Sequence, residues 1–347
     1  MRLWHALEAV LGPAAVLAQW QKLLGDELHL LQPYFKPWPQ LAGSYPRLDG
    51  KREWLSYEVV EFGPDDYVGV CHEMEDRIVL SRDDLIIYEV DVPRLLDDVA
   101  QAFGWERVRG EANAGRSEVY LVGNFRPCAG YAFPAFFTIP LDGRSLTNAI
   151  CALASTKEQP FLLLAPTTRR LHAEGQRVLA WNESAFLTLD ETLDATAPGQ
   201  WQTNEVAERL LHGFTEKHVP KTVAADGTAF FATPAGARWE DLRVRFVDGH
   251  TISVTAIGVS RLFQYGDLGM ADRRSKRPTK QWDLLRAFAK GYGTLTWGSR
   301  DADPRNQKRR ELLAKDLKAF FRIDGEPIVM TDDGKGWRTI FTVEPDA

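Results

Sequence analysis

The run Pro304 to Arg322, PRNQKRRELLAKDLKAFFR, constrains the fold of this chain more than any other stretch. At about 100° per residue, Leu312, Leu313, Leu317, Phe320 and Phe321 fall on one side of a helix, and Gln307, Lys308, Glu311, Lys315, Lys318 and Arg322 on the other. One face demands a core; the other suits solvent or a polyanion. Asp303 is placed to cap the first turn and Pro304 to take the first helical position, where no amide hydrogen is needed. The following segment, IDGEPIVMTDDGKGWRTIFTV, carries two β-type runs around Asp332-Asp333-Gly334-Lys335-Gly336. It reads as a hairpin with a glycine-rich turn, bearing Lys335 and Arg338.

The charge of the chain is divided by region. The net charge is −6, yet Ala271 to Arg322 holds fifteen Lys and Arg against six Asp and Glu, so that window carries +9 and the remainder −15. Such a partition is expected when one module meets a polyanion and the rest does something else. With 347 residues, the chain has length for two or three domains. Hydrophobic residues at 44% and charged residues at 26% argue against wholesale disorder. The amino-terminal stretch is interrupted by Glu8, Gln19, Gln21 and Lys22, unlike a signal peptide. No window approaches a membrane span, so a cytoplasmic protein without a membrane partner is expected. Cys71, Cys128 and Cys151 lack paired spacing, which argues for reduced thiols and against a zinc site.

Taken in order, residues 1 to about 31 read as two helices broken at Gly12-Pro13, with Pro13 starting the second. YFKPWPQLAGSYPRLDGKR reads as a loop dense in Pro and Gly. From Glu53 the period shifts towards two: EWLSYEVVEF, YVGVCHEM, IVLSRDDLIIYEV, EVYLVGNF and FPAFFTIPL read as strands, with PRLLDDVAQAFGW as a helix. TNAICALAS, PFLLLAPT, RRLHAEGQRVLAWN and AFLTLDETL then read as helix, strand, helix, strand. The wholly apolar Phe161 to Ala165 suits a strand covered on both faces, so a small α/β unit joins the first sheet. Residues 1–195 are thus expected to form an α+β region, 196–235 a linker with one helix and a small-residue stretch, and 236–347 a second domain. There, LRVRFVDGHTISVTA reads as a hairpin about Asp248-Gly249 and VSRLFQY as a third strand. Thr279 caps QWDLLRAFAKGYG, whose Trp282, Leu285, Ala289 and Tyr292 share a face.

The order from residue 239 is small antiparallel sheet, helix, short run Thr294 to Trp297, basic helix, hairpin. It resembles the OmpR/PhoB-type winged-helix DNA-binding domain, a helix-turn-helix variant. WDLLRAFAKGYGTL matches the first core helix, RRELLAKDLKAFF the recognition helix and GEPIVMTDDGKGWRTIFTV the wing. Two departures stand out: only GTLTWGSRDAD is available where that family has a middle helix, and nothing upstream resembles a receiver domain. The resemblance implies a recognition helix in the major groove, with Lys335 and Arg338 near the adjacent backbone. Lys315, Lys318, Lys335 and Arg338 read as phosphate clamps, each releasing condensed counterions. Arg305, Gln307 and Lys308 read as base readers, Glu311 as an acceptor from cytosine N4, and Arg322 as a further cation of that face. The alternative is a solvated face stitched by surface ion pairs, each worth about 0–1 kcal/mol.

Other chemistry is weakly signalled. Glu208 and His212 stand four apart, but the second histidine of a metal pair is missing. Cys71-His72 on a strand would point to opposite faces. Of the acidic doublets Asp65-Asp66, Asp83-Asp84 and Asp97-Asp98, two sit where a turn or helix cap would want them, with Ser81 and Asp84 shaped like a capping box. Phosphate-loop, dinucleotide and nucleophile-elbow motifs are lacking. The expectation is a non-enzymatic, sequence-specific binder of double-stranded DNA, a transcriptional regulator with no cofactor. Its amino-terminal region would receive a protein partner or a small-molecule effector. Trp54, Tyr57, Tyr67, Tyr120, Tyr131 and Phe136 either line a pocket there or form plain core. Competing readings are a DNA-holding subunit of a larger nucleic-acid-processing complex and a metal-dependent nuclease using the acidic doublets.

Overall fold

The structure is a computed structural model and describes residues 1–10, 12–48, 55–107, 119–157, 159–219, 231–272 and 274–346. The fold is α+β and divides into two compact units, Met1–Phe125 with Phe133–His212, and Arg126–Ala132 with Gly213–Ala347. Trp54 and most of the small-residue stretch before Ala235 lie outside the described residues.

The first unit begins with α1 (Arg2–Ala9), β1 (Ala14–Val16), α2 (Leu17–Leu24) and α3 (Leu28–Leu31). The helix expected from Pro13 starts only at Leu17, because Ala14–Val16 pair antiparallel with a later strand and the Pro13 carbonyl accepts from the Val90 amide. The expected Pro-rich loop also contains strands, β2 (Phe35–Leu41) and β3 (Ser44–Pro46). Next come β4 (Ser56–Gly63), β5 (Asp66–Cys71), β6 (Asp76–Leu80), β7 (Ile86–Val90) and α4 (Val92–Ala102). β2 lies at the edge of a three-stranded sheet ordered β1-β7-β2 and its register slips between Pro37 and Leu41. An edge with irregular pairing is where a strand tolerates prolines that cannot donate. The expected strand IVLSRDDLIIYEV is two strands, split where Asp84 accepts from the Ser81 amide at 2.8 Å and lies within 2.6 Å of its hydroxyl.

β8 (Glu106–Arg107), β9 (Val119–Cys128), β10 (Tyr131–Thr138), α5 (Gly143–Thr156), β11 (Leu162–Ala165), α6 (Ala173–Trp181) and β12 (Ala185–Thr188) follow. Their five-stranded sheet is ordered β12-β11-β10-β9-β8, with β10, β11 and β12 parallel. Every residue of β11 is buried, as a strand in the parallel part of a sheet requires. An Asp142–Ser145 capping box starts α5, and Leu146, Ile150 and Leu153 pack with Phe136, Phe161 and Leu163. The unit ends with α7 (Leu189–Thr192), the hairpin β13 (Leu193–Ala197) and β14 (Gln200–Thr203), and α8 (Glu205–His218), whose last turns belong to the second unit.

In the second unit, β15 (Leu242–Phe246), β16 (Thr251–Ala256) and β17 (Val259–Gln264) form the expected antiparallel meander. α9 (Lys280–Lys290), β18 (Thr294–Thr296), α10 (Asn306–Phe321), β19 (Ile328–Met330), β20 (Gly336–Thr339) and β21 (Thr342–Glu344) complete it. β21 was expected to continue the final hairpin. Instead it pairs in parallel with β15, closing a sheet ordered β17-β16-β15-β21, while β18, β20 and β19 form a separate three-stranded sheet. One hydrophobic core joins these elements, including Val244, Val254, Trp282, Phe288, Leu313, Leu317, Phe321 and Trp337. Each fully buried large side chain of this kind contributes about 1.5–3 kcal/mol. Tyr292, expected on the buried face of α9, is exposed because the helix ends at Lys290 and Tyr292 turns to φ +48. Leu312, expected in the core of α10, is 40% exposed.

Candidate nucleic-acid interface

α10 starts two residues later than its sequence signals suggest. Its cap position is Arg305, with no side-chain cap, and the Asp303 carboxylate instead closes the preceding turn. It accepts from the Arg305 amide at 2.8 Å and from the Arg309 guanidinium at 2.9 Å. The Arg305 amide, helped by Arg309, holds the Asp303 carboxyl below the usual range, so it stays ionised. Asn306, almost wholly buried, ties this turn to the helix: its side-chain amide donates to the Asp301 carbonyl at 2.9 Å, and its oxygen accepts from Arg309 at 3.0 Å.

The buried stripe of α10 is Asn306, Leu313, Ala314, Leu317, Phe320 and Phe321. At about 100° per residue, Lys308 and Lys315 lie roughly opposite that stripe, whereas Lys318 sits near its margin. Arg305, Gln307, Lys308, Glu311 and Lys315 are accordingly exposed, while Lys318 and Arg322 are half-buried. Lys318 forms an ion pair with Glu326 in the loop after the helix. Arg322 caps the carboxyl end at φ +55, and its guanidinium lies 4.7 Å from the centre of the Tyr131 ring. Arg309 and Arg310 also face structure, Arg309 pairing with Asp303 and Arg310 reaching the Ile328 carbonyl.

The β19–β20 hairpin stands beside the first turn of α10. β18 pairs with β20 so that Leu295 faces Trp337, and the Trp297 amide then donates to the Lys335 carbonyl at 2.8 Å. The Trp297 indole donates to the Gly334 carbonyl at 3.1 Å, and the Trp297 and Trp337 rings meet edge to face at 4.3 Å. A small cleft of about 360 Å³ is lined by Trp297, Trp337, Asp303, Pro304 and Gln307, which brings the helix start and the hairpin to one place. At the tip, Asp333 accepts from the Lys335 amide at 3.0 Å and the Thr331 hydroxyl at 2.7 Å. Those donors lower its pKa and fix the loop. Gly334 supplies φ +67 in the turn, and at Gly336 the β18 backbone passes too close to admit a side chain. Lys335 and Arg338 project exposed from this hairpin.

Seven of the nine residues singled out in the sequence are therefore exposed on α10 or the hairpin, and two, Lys318 and Arg322, also serve the fold. The organising role of Trp297, Trp337 and Asn306 escaped notice; the tryptophans at the two ends of the helix-to-hairpin segment were the available signal.

The other candidates take structural positions. Tyr57 and Tyr67 belong to a buried cluster with Cys71 and Leu80, Phe136 to the cluster around α5, and Tyr131 to the second unit. These four described residues fall in different clusters. Asp65 pairs with Arg82, Asp97 with Arg107, Asp98 accepts from Tyr34, and Asp84 serves Ser81. His72 opens a short turn after β5 and does not share the strand with Cys71. Among the described residues, no group of three or more His, Cys, Asp or Glu is placed to hold a metal, and no helix is long and apolar enough to cross a membrane. Comparisons of the chain with protein-family models, curated proteins and solved structures find no match.

Proposed function

We propose that the second unit binds double-stranded DNA in the manner of a winged helix, with α10 as the reading helix and the β19–β20 hairpin as the wing, and that the protein is a sequence-specific transcriptional regulator. The observation that carries this reading is the shared exposure of Arg305, Lys308 and Lys315 on α10 and of Lys335 and Arg338 on a hairpin packed beside its first turn. The element order, an antiparallel meander, helix, strand, helix and hairpin, supports the resemblance. The segment Trp297 to Arg305 contains turns in place of a middle helix, so the entry to α10 is held by Asn306 and Asp303.

On this reading Lys315, Lys335 and Arg338 neutralise phosphates, and Arg305, Gln307 and Lys308 approach base edges from the amino-terminal turns of the helix. Glu311 accepts from cytosine N4, and the exposed Asp332 and Asp333 keep the hairpin tip from docking indiscriminately. Lys318 and Arg322 contribute field more than contact, being engaged by Glu326 and Tyr131. The first unit is the part that receives a protein partner or small-molecule signal. A selection of fragments from random duplex DNA, followed by competition with unrelated duplex, tests the proposal. A regulator enriches a motif and keeps it against competitor; a subunit that merely holds DNA loses its fragments to competitor. Recovery of no DNA at low salt refutes both.

A further inference from the structure

A cleft of about 780 Å³ in the second unit lies where α10 runs into β19, and it has the size of a small-molecule site. Its lining contains a donor without an acceptor. Trp239 is 4% exposed, its ring packs edge to face on Phe321 and tilted on Phe341, and its indole Nε1 has no hydrogen-bond partner among the described residues. That edge faces Gly325, another lining residue, held at φ +90. A buried donor left unmatched costs about 1–3 kcal/mol, which an incoming oxygen would recover.

Three arginines, Arg126, Arg238 and Arg322, line the same cleft. Arg322 is positioned by the Tyr131 ring, and Arg238 is exposed at the cleft. A planar guanidinium matches a carboxylate with two parallel hydrogen bonds, and Val329 and Ile340 offer apolar wall for the rest of a ligand. Glu240 and Asp324 are exposed at the same cleft, while Glu326 is engaged by Lys318. With Glu326 so engaged, three arginines and two other carboxylates remain in the lining, an excess that suits a ligand with a single negative charge.

We propose that this cleft binds a small organic monocarboxylate with an apolar or aromatic body, its carboxylate held between Arg238, Arg322 and the Trp239 indole N–H. The site stands on its own geometry. Because Arg322 is also the carboxyl-terminal cap of α10, it becomes an effector site only if α10 reads DNA, and that consequence rests on the proposed function.

The test needs no DNA, so its failure and the failure of the DNA reading are distinct. The full-length protein, labelled with nitrogen-15, is titrated with 3-phenylpropionate while the Trp239 indole resonance, assigned by Trp239→Phe, is followed. The expected result is a saturable shift of that resonance, with affinity reduced roughly tenfold in Arg238→Ala, and no comparable shift with 3-phenylpropanol or phenethylamine. Arg322→Lys, which keeps the charge but loses the fork, should weaken binding as well. A resonance unmoved up to about 10 mM, the weak end of specific binding, overturns the proposal. So does an equal response to the alcohol or the amine, or unchanged affinity in both arginine variants whose spectra otherwise match the parent.

Discussion

Replacing Lys308 and Lys315 by alanine removes two cations from the outer face of α10 and leaves its packing untouched. Neither side chain has an ion pair or hydrogen bond among the described residues, both are exposed, and alanine is the better helix former. Five cations are exposed on the proposed surface: Arg305, Lys308, Lys315, Lys335 and Arg338. If each of the five displaces one condensed counterion, whether it lies at a phosphate or at a base edge in the groove, the logarithm of the binding constant falls with the logarithm of salt at a slope of about −4.5. Raising salt from about 50 to 200 mM should then weaken binding roughly 500-fold. The double variant keeps three such contacts, which gives a slope of about −2.7 and a loss of only about 40-fold over the same range. Fluorescence anisotropy of a labelled duplex at four or more potassium chloride concentrations reads both slopes. Coincident slopes for parent and variant would refute the placement of these two lysines in the DNA interface, whatever the absolute affinities.

Three further outcomes follow from the packing and the titrating groups. Burial pushes the Asp316 carboxyl up to about 6. The folded state therefore holds this proton more tightly than the unfolded chain, so the contribution of Asp316 to stability is greatest below about pH 4 and falls as pH rises through about 6. Asp316→Asn should flatten that decline and stabilise the protein near pH 7 by about 1–3 kcal/mol after allowance for partial exposure, measured by urea unfolding across pH; a variant less stable at neutral pH contradicts it. Phe321 is fully buried against Phe231, Trp239 and Phe320, so Phe321→Ala should cost about 3–5 kcal/mol, seen as a lowered urea midpoint; an unchanged midpoint would mean the core of the second unit is misassigned. Gly336→Ala should displace β20 from β18, broaden the Trp297 and Trp337 indole signals and weaken DNA binding together; intact signals with full binding would show that the hairpin needs no such close approach.

Much of this architecture could be read from local patterns, and the failures have physical causes. The amphipathic stripe of α10, the meander around Asp248-Gly249 and the apolar β11 were legible because period and burial coincide there. Ala14–Val16 were misread as helix because alanine favours helices, and only pairing with β7 overrides that preference. The Pro-rich β2 was misread as loop because an edge strand with a slipped register hides its period. β21 escaped because its pairing with β15 is parallel and spans most of the unit. In the candidate site, the exposed cations were evident from spacing, but the roles of Lys318 and Arg322 depend on Glu326 and Tyr131, contacts that no helical wheel contains.

Footprinting of lysines by acetylation, with and without a selected duplex, tests the central claim most directly because it reports which surface DNA covers. Lys308, Lys315 and Lys335 should lose reactivity when DNA is bound, while Lys36 on β2 and Lys157 after α5 keep theirs. Equal acetylation of Lys308, Lys315 and Lys335 in the free and DNA-saturated protein would place the nucleic acid elsewhere or nowhere, and the α10 face would revert to solvated surface.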